Sequence, residues 1–439
     1  MDFVIAFALF LAAMLFCLIR DYALYWALAF ALTLFFGVGL KRGYKAGALA
    51  KMAWSKMPKT MIVLRIIFLI GILTGLWRSC GTIAFCIYYG VRAIPPSLFV
   101  LLAFLLTALL SYALGTSFGV TSTAGVVLIA LARSGGVNTA VAAGAIMSGV
   151  YFGDRGAPTS SCASLVAALT ETQLYRNVKR MHRTALLPYA ICLAFYAFLS
   201  LRNPLAGADK TLLTALSDSF DLSLWTVLPA VIMLILPLLR VPIWVAMTIS
   251  GAAAFAVSVL SQGMGMLETL RVCLLGYASG GVLSAVLSGG GLMSMLTVFL
   301  MLPLASMMGG ILEGTGALDG VQEKLTAASD QLGLLPTTGL LSILCSMVLC
   351  NQTIVVIMLQ QLLGKVYERR GASPEEFAID IANTGVTLAG LVPWCIACAV
   401  PLSMLGVGAE ALPYAALLYT IPVCYLFTKK KFYPKGDAS

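Results

Sequence analysis

The chain has 439 residues, of which 60% are apolar and only 10% charged, with a mean hydropathy of +0.97. No soluble core of this size needs that balance, so a soluble enzyme or binding domain is excluded. The expected fold class is an all-α polytopic membrane protein of about 10–12 transmembrane helices built as two structural repeats with broken or re-entrant helices. Lys and Arg exceed Asp and Glu by 28 to 18, a net charge of +10. These cations flank apolar spans, where lipid and topology account for them, so no nucleic-acid partner is expected.

A bilayer crossing needs roughly 18 apolar residues or more at 1.5 Å rise each. The first such runs cover 3–19 and 22–40. No basic residue precedes the first, and a second span follows Arg20 and Asp21 directly, so the first is read as a retained helix and not a signal peptide. An acid-free connection follows, carrying Lys41, Arg42, Lys45, Lys51, Lys56 and Lys59. Further runs cover 60–77, 96–114, 185–201, 223–239, 241–261, 295–312, 339–363 and 411–428, and Lys429, Lys430, Lys431 and Lys435 end the chain. The positive-inside rule places the basic connection and the C-terminus in the cytoplasm of a bacterial inner (cell) membrane protein. Arg65, six residues into its run, is expected to snorkel. The eleven cysteines sit mostly in apolar segments and imply no disulfide framework; Cys395 and Cys398 form a C-x-x-C with no second pair. The lone His182 lies in the basic stretch Lys179–Arg183 and reads as a solvated loop residue.

The sequence repeats at an offset of 235: Gly75, Gly81, Leu105, Leu106, Ser111, Leu114 and Pro158 recur as Gly310, Gly316, Leu340, Leu341, Ser346, Leu349 and Pro393. Pro188-Tyr189-Ala190 recurs as Pro413-Tyr414-Ala415 at an offset of 225. The organisation is therefore N-terminal helices and a basic segment (1–59), repeat 1 (60–201), connecting helices (202–294), repeat 2 (295–428) and a basic tail (429–439). Duplicated units are the signature of transporters, which bind substrate where the repeats meet. Whether the copies are parallel or inverted depends on the number of crossings between them, which the broken segments leave open.

Two interruptions carry the chemistry. Between 115 and 125 stand five hydroxyls and three glycines, Thr116 and Ser117 among them, which suggest a helix unwound at mid-membrane. Such backbone survives only inside protein or along a cavity, and its oxygens suit a small cation; the alternative is a packing patch of small residues. The second interruption is Gly153-Asp154-Arg155-Gly156-Ala157-Pro158-Thr159-Ser160, where Asp154 is the only carboxylate between Asp21 and Glu171. An ionisable group there marks a site by default, unless it only pairs with Arg155 or caps the next helix.

Repeat 2 answers with Cys350-Asn351-Gln352 and with Asn383-Thr384-Gly385-Val386-Thr387 ahead of 389–399, polar but without a matching carboxylate. Glycine-rich breaks follow at Arg78–Thr82 and Glu313–Ala317, with Arg78 and Glu313 at equivalent positions and able to pair across the repeats. The runs behind them, Ile83–Ile94 and Leu318–Ala328, are too short to span and are expected to be re-entrant.

Taken together, the chain resembles the NhaC-type sodium/proton antiporter family of the ion transporter superfamily, from about Tyr22 to Leu426. The resemblance is carried by Leu73-Thr74-Gly75-Leu76-Trp77, Gly115-Thr116-Ser117-Phe118-Gly119, Ser148-Gly149 with Gly153-Asp154 and Pro158, Gly309-Gly310-Ile311-Leu312-Glu313, and Pro393-Trp394 with Leu412-Pro413-Tyr414-Ala415. It implies cation/proton exchange, with relatives that carry organic acids or amino acids. Where the family often has an acidic Gly-Asp-Gln-like turn, this chain has Cys350-Asn351-Gln352; Thr387–Trp394 also departs from the family pattern.

The leading expectation is a secondary active transporter and no enzyme, exchanging Na+ for H+. Asp154, Thr116, Ser117, Thr159, Ser160, Asn351, Gln352, Thr384 and Thr387 are the candidate cation, proton or substrate ligands, and the Na+ itself is expected at Asp154, Thr116 and Ser117. The alternative is a Na+- or H+-coupled carrier of an amino acid or small carboxylate. Expected partners are membrane lipids, monovalent cations or a small polar solute, and a second copy in a homodimer. No cofactor is expected beyond the transported or coupling Na+ and H+.

Overall fold

The computed structural model describes residues 2–20, 22–55, 57–205, 210–239, 241–316 and 329–433. Within them the regular structure is helical, apart from one isolated bridge between Tyr277 and Gly289. Five helices are long and apolar enough to cross a membrane. Three bent helix pairs and three shorter apolar helices accompany them. Helices α1 (Asp2–Ile19) and α2 (Tyr25–Lys41) pack on each other, and α3 (Ala46–Trp54) follows.

The first copy comprises α4 (Met57–Ser79), α5 (Thr82–Ala93), α6 (Phe99–Leu114), α7 (Ser117–Val120), α8 (Val126–Ser134), α9 (Thr139–Gly156), α10 (Ser161–Leu169) and α11 (Leu174–Arg202). A π turn over Thr121–Gly125 joins α7 to α8. The connecting segment holds α12 (Lys210–Ser219), α13 (Leu228–Leu238), α14 (Ile243–Leu260) and α15 (Met266–Leu275), followed by single helical turns at Ser284–Leu287 and Gly291–Ser294. The second copy comprises α16 (Leu296–Gly314), α17 (Leu334–Leu349), α18 (Gln352–Arg369), α19 (Pro374–Ile381, continued by a π turn over Ala382–Val386), α20 (Ile396–Leu405) and α21 (Ala416–Phe432).

The starts of α6, α7, α9 and α10 lie 235 residues before those of α17, α18, α19 and α20, so the sequence offset is also a structural one. The match extends to single residues at the breaks. Gly115 ends α6 at φ 69°, ψ 25°, and Cys350 ends α17 at φ 52°, ψ 16°. Thr116 (φ −145°) and Asn351 (φ −141°) then run extended, and each caps the next helix with its side chain. A non-glycine residue such as Cys350 resists the left-handed region by about 1–2 kcal/mol. The backbone holds it there, because the Cys350 carbonyl accepts the Ile396 N–H at 2.9 Å.

The copies are inverted. Equivalent helices α4 and α16 run antiparallel, with Thr60 donating to Ser306 at 2.6 Å while Gly71 abuts Leu292 in the helical turn just ahead of α16. Within a copy, α6 and α9 run parallel in very close contact. A Cβ on Gly149 would fall 2.0 Å from Thr107 Oγ1, and one on Gly153 would fall 2.0 Å from the Ser111 backbone. Small residues draw the backbones together as they do between helices in lipid.

Several expectations need correction. The run 339–363 is two helices broken at Cys350, because the polar pair Asn351-Gln352 starts a new one. His182 lies within α11, not in a loop, its ring against Tyr112 and Phe152 at 5.3 and 5.4 Å. Arg65 stays exposed but stacks on Trp244 of α14, 3.8 Å from the ring centre. The re-entrant expectation for the run after the first glycine break is not among them: that run is helix α5, bent 62° from α4 as a broken span or a re-entrant loop is. Its counterpart 318–328 lies outside the described residues, as do Asp21, Lys56, Ala317 and Lys435.

Candidate functional site

Asp154 occupies the last turn of α9, 6% exposed, where the tight α6–α9 contact fixes its backbone. Its carboxylate accepts a hydrogen bond from the Ser117 hydroxyl at 3.3 Å, and the Ser117 backbone N–H and the Gln352 side-chain amide stand near enough to stabilise its charge. Ser117 and Gln352 are the first residues of equivalent helices, one from each copy. The first belongs to an 18-residue apolar helix, Ser117–Ser134, and the second to α18. Two positive helix ends therefore converge on one buried carboxylate at the junction of the repeats.

The remaining polar residues hold this junction in shape. Ser160 donates to the carbonyl oxygen of Asp154 at 2.5 Å and caps α10 by accepting the N–H groups of Cys162 and Ala163. Thr116 accepts the Gly119 N–H at 3.3 Å, and Asn351 accepts those of Thr353 and Ile354 at 3.0 and 3.4 Å. The amide of Gln352 donates to the Val386 carbonyl at 2.9 Å, which joins α18 to the π turn of α19. Arg155, fully buried, donates to Asn383 and, at 2.9 Å, to the Met181 carbonyl. It turns away from the groups around Asp154, so pairing with Arg155 does not explain the buried carboxylate.

Of the nine candidate ligands, the structure gathers Asp154, Ser117 and Gln352, with Ser160 one bond behind. Thr116 and Asn351 cap the broken helices, which places their side-chain oxygens on backbone N–H groups. Thr159 is exposed and reaches only the Tyr112 and Ala113 carbonyls, at 3.5 Å. Thr384 donates to the Asp380 carbonyl and Thr387 to that of Asn383, so neither faces Asp154. The hydroxyls of the first break are likewise occupied: Thr121, Ser122 and Thr123 donate to the carbonyls of Ser117 and Gly119 within the π turn. The sequence shows such hydroxyls as ligands; the fold uses them to satisfy backbone freed by the break.

Arg78 and Glu313 do not meet. Arg78, at the end of α4, donates to the Thr74 carbonyl, whereas exposed Glu313 lies beside Lys51 and Met52 of α3. Because α4 and α16 are antiparallel, with Thr60 near Ser306, Arg78 is displaced from that end by most of a helix, roughly 27 Å at 1.5 Å per residue. Equivalent positions in inverted repeats fall at opposite depths.

Sequence reasoning missed a second buried carboxylate. Asp380 in α19 is fully buried, accepts from the Tyr367 hydroxyl at 2.6 Å and pairs with Lys429. Its neighbours Glu375 and Glu376 make the segment read as a solvated acidic face, and Lys429 reads as tail. The available signal is its spacing: Asp380 falls three residues after Phe377 and next to Ile381, steps that bury one face of a helix.

The Gln352 side chain holds α18 to the π turn of α19, so Gln352→Ala is expected to lower stability by about 1 kcal/mol, the scale of one hydrogen bond. The melting temperature checks this; an unchanged value contradicts it.

Inverted repeats with paired broken helices around one buried carboxylate define a secondary active transporter. Residues 149–429 match the Na+/H+ antiporter family, and the chain belongs to it, as a multi-pass membrane protein of the NhaC type. An uncharacterized Na+/H+ antiporter of Haemophilus influenzae is 28% identical over 83% of this chain and 81% of its own length. The arginine/ornithine antiporter of Halobacterium salinarum is 29% identical over 84% and 79%, and the Na+/H+ antiporter NhaC of Alkalihalophilus pseudofirmus 23% identical over 86% and 85%.

Proposed function

We propose that the chain exchanges Na+ for H+ across the cell membrane with Asp154 as the carboxylate both ions share. The observation that carries this is the meeting of the Ser117 and Gln352 helix ends on Asp154. When Na+ is bound, the carboxylate and the Ser117 hydroxyl are its hard oxygen ligands; when it leaves, a proton neutralises the carboxylate, and the inverted repeats rock to present the site to the other side. One charge thus serves two cargoes in alternation, which is the coupling an antiporter requires. No catalytic group, cofactor or resident metal enters this cycle.

Lys429, Lys430 and Lys431 at the end of α21, with Lys179 and Arg180 at the start of α11, support a cytoplasmic C-terminus. The test is reconstitution of the full chain into vesicles with a trapped pH dye, followed by Na+, Li+ and K+ gradients. Na+-dependent alkalinisation or acidification with no added solute is expected. The identity of the Halobacterium salinarum relative motivates a second arm with arginine, ornithine and small carboxylates. Proton movement that requires one of these solutes, and not Na+ alone, replaces cation exchange by coupled solute carriage.

A further inference from the structure

Away from Asp154, a set of buried acidic and basic groups lies where α19, α18 and α21 meet at the basic end of the molecule. Asp380 is completely buried; its Oδ2 faces Lys429 Nζ and the Tyr367 hydroxyl, and its Oδ1 is buried with no hydrogen-bond partner. Lys429 also pairs with Glu376 at 2.7 Å, both side chains being 15% exposed. Around them stand Tyr425 of α21 and Tyr433 just after its end, and Arg180 of α11 is turned toward the Tyr433 hydroxyl at 3.2 Å. Two carboxylates share one ammonium, which leaves an uncompensated negative charge and a free carboxylate oxygen in a closed site.

The surroundings are not those of a simple clamp. From Asp380, a line of buried hydroxyls runs along α17 toward the break that carries Gln352. The Tyr367 hydroxyl lies 2.7 Å from Thr338 Oγ1, Ser342 donates to Thr384 Oγ1 at 3.2 Å, and Ser346 lies one turn further on, four residues before Cys350. Thr384 in turn donates to the Asp380 carbonyl at 2.7 Å. The equivalent positions of the first copy, 235 residues earlier, are Ala145 for Asp380, Gly149 for Thr384, Ala132 for Tyr367 and Ala103 for Thr338. Asp380 and its Tyr367, Thr384 and Thr338 partners are therefore built into one copy only, whereas Ser342 and Ser346 answer to Thr107 and Ser111, and the line leads from the basic end toward the break at Cys350.

We propose that Asp380 is a second proton-carrying carboxylate of the exchange, a station between the basic end of the protein and Asp154. The inference rests on the antiport reading above and adds a site to it. A proton arriving from the basic end bonds to Oδ1 of Asp380. The ion pair with Lys429 is then given up while Lys429 keeps Glu376, and the cluster passes from one net negative charge to neutral. Departure of that proton along the hydroxyl line toward Asp154 restores the pair. Protons leaving Asp154 take the reverse course.

The test compares wild type, Asp380→Asn, and the double variant Asp380→Asn with Lys429→Met, each reconstituted at full length. The double variant removes the pair without stranding a charge, so a merely structural pair is replaced at little cost. Two readouts are taken: Na+-driven proton flux with a trapped pH dye, and the upward shift in melting temperature on adding Na+. Expected are a flux at least tenfold below wild type in both variants and a Na+-induced shift equal to wild type. A double variant that exchanges at the wild-type rate overturns the proposal and leaves the pair a clamp. Loss of the Na+-induced shift along with flux also overturns it, since Asp380 then acts only through the fold. Failure of the antiport reading is seen separately, as a wild-type protein without Na+-driven flux.

Discussion

Replacing Asp154 with Asn is expected to lower Na+/H+ exchange roughly a hundredfold or more, the scale of losing a positioned acid–base group, while the protein still folds. Asparagine has nearly the same shape, and its amide can keep a hydrogen bond to Ser117 beside Gln352, so the junction of the two broken helices stays closed. What it cannot do is carry a charge for Na+ or a proton in its absence. Two helix ends that face a carboxylate in the wild type face a neutral group in the variant, and no group there attracts a cation. Asp154→Glu keeps the charge but pushes it about one methylene deeper into the contact with Ser117, so residual exchange with weaker Na+ affinity is expected. Flux in reconstituted vesicles, alongside the melting temperature, checks both; full exchange by the Asn variant removes Asp154 from the mechanism.

The second large effect is steric and lies one residue away. Gly153→Val is expected to prevent accumulation of folded protein, because even the Cβ would stand 2.0 Å from the Ser111 carbonyl carbon and 2.3 Å from the Tyr112 nitrogen. Backbone on a packed helix cannot yield by that much, and overpacking costs about 1–3 kcal/mol even where the neighbours can shift. If α6 and α9 do separate to admit the side chain, Asp154 moves with α9 and leaves Ser117, so surviving protein is expected to exchange poorly. Size-exclusion behaviour in detergent and yield against wild type are the measurements. A well-behaved, active Val variant contradicts the close approach of these helices. Gly115→Ala tests the neighbouring turn more gently: at φ 69°, with Thr159 and Ser160 backbone within 2.6 Å of a Cβ, it too is expected to fold poorly.

Much of this arrangement is legible in the chain because both its carriers are simple. Hydropathy gives the spans, and the duplicated residues at an offset of 235 give the register in which α6 answers α17 and α9 answers α19. Asp154 stands out because a lone acid in apolar sequence is costly to bury and is kept where a function needs its charge. What stays hidden is direction and depth. Nothing in the residues tells that Thr384 and Thr387 turn to their own helix's carbonyls, whereas Gln352 turns inward; hydroxyls in a broken helix serve the backbone as readily as an ion. Antiparallel equivalence is hidden for a related reason, so that Arg78 and Glu313, neighbours by repeat register, end most of a helix apart. Asp380 is hidden by the acids beside it, although only it faces the apolar side of α19.

The central claim is that one carboxylate binds either Na+ or H+. Calorimetric titration of the detergent-solubilised chain with NaCl, in two buffers of different ionisation enthalpy at the same pH, tests it directly. Competition at Asp154 predicts that each Na+ bound releases close to one proton under acidic conditions, that the apparent Na+ affinity falls toward tenfold for each unit by which pH drops, and that Asp154→Asn abolishes the release. Sodium binding whose heat is the same in both buffers at every pH, with affinity indifferent to pH, would contradict the account.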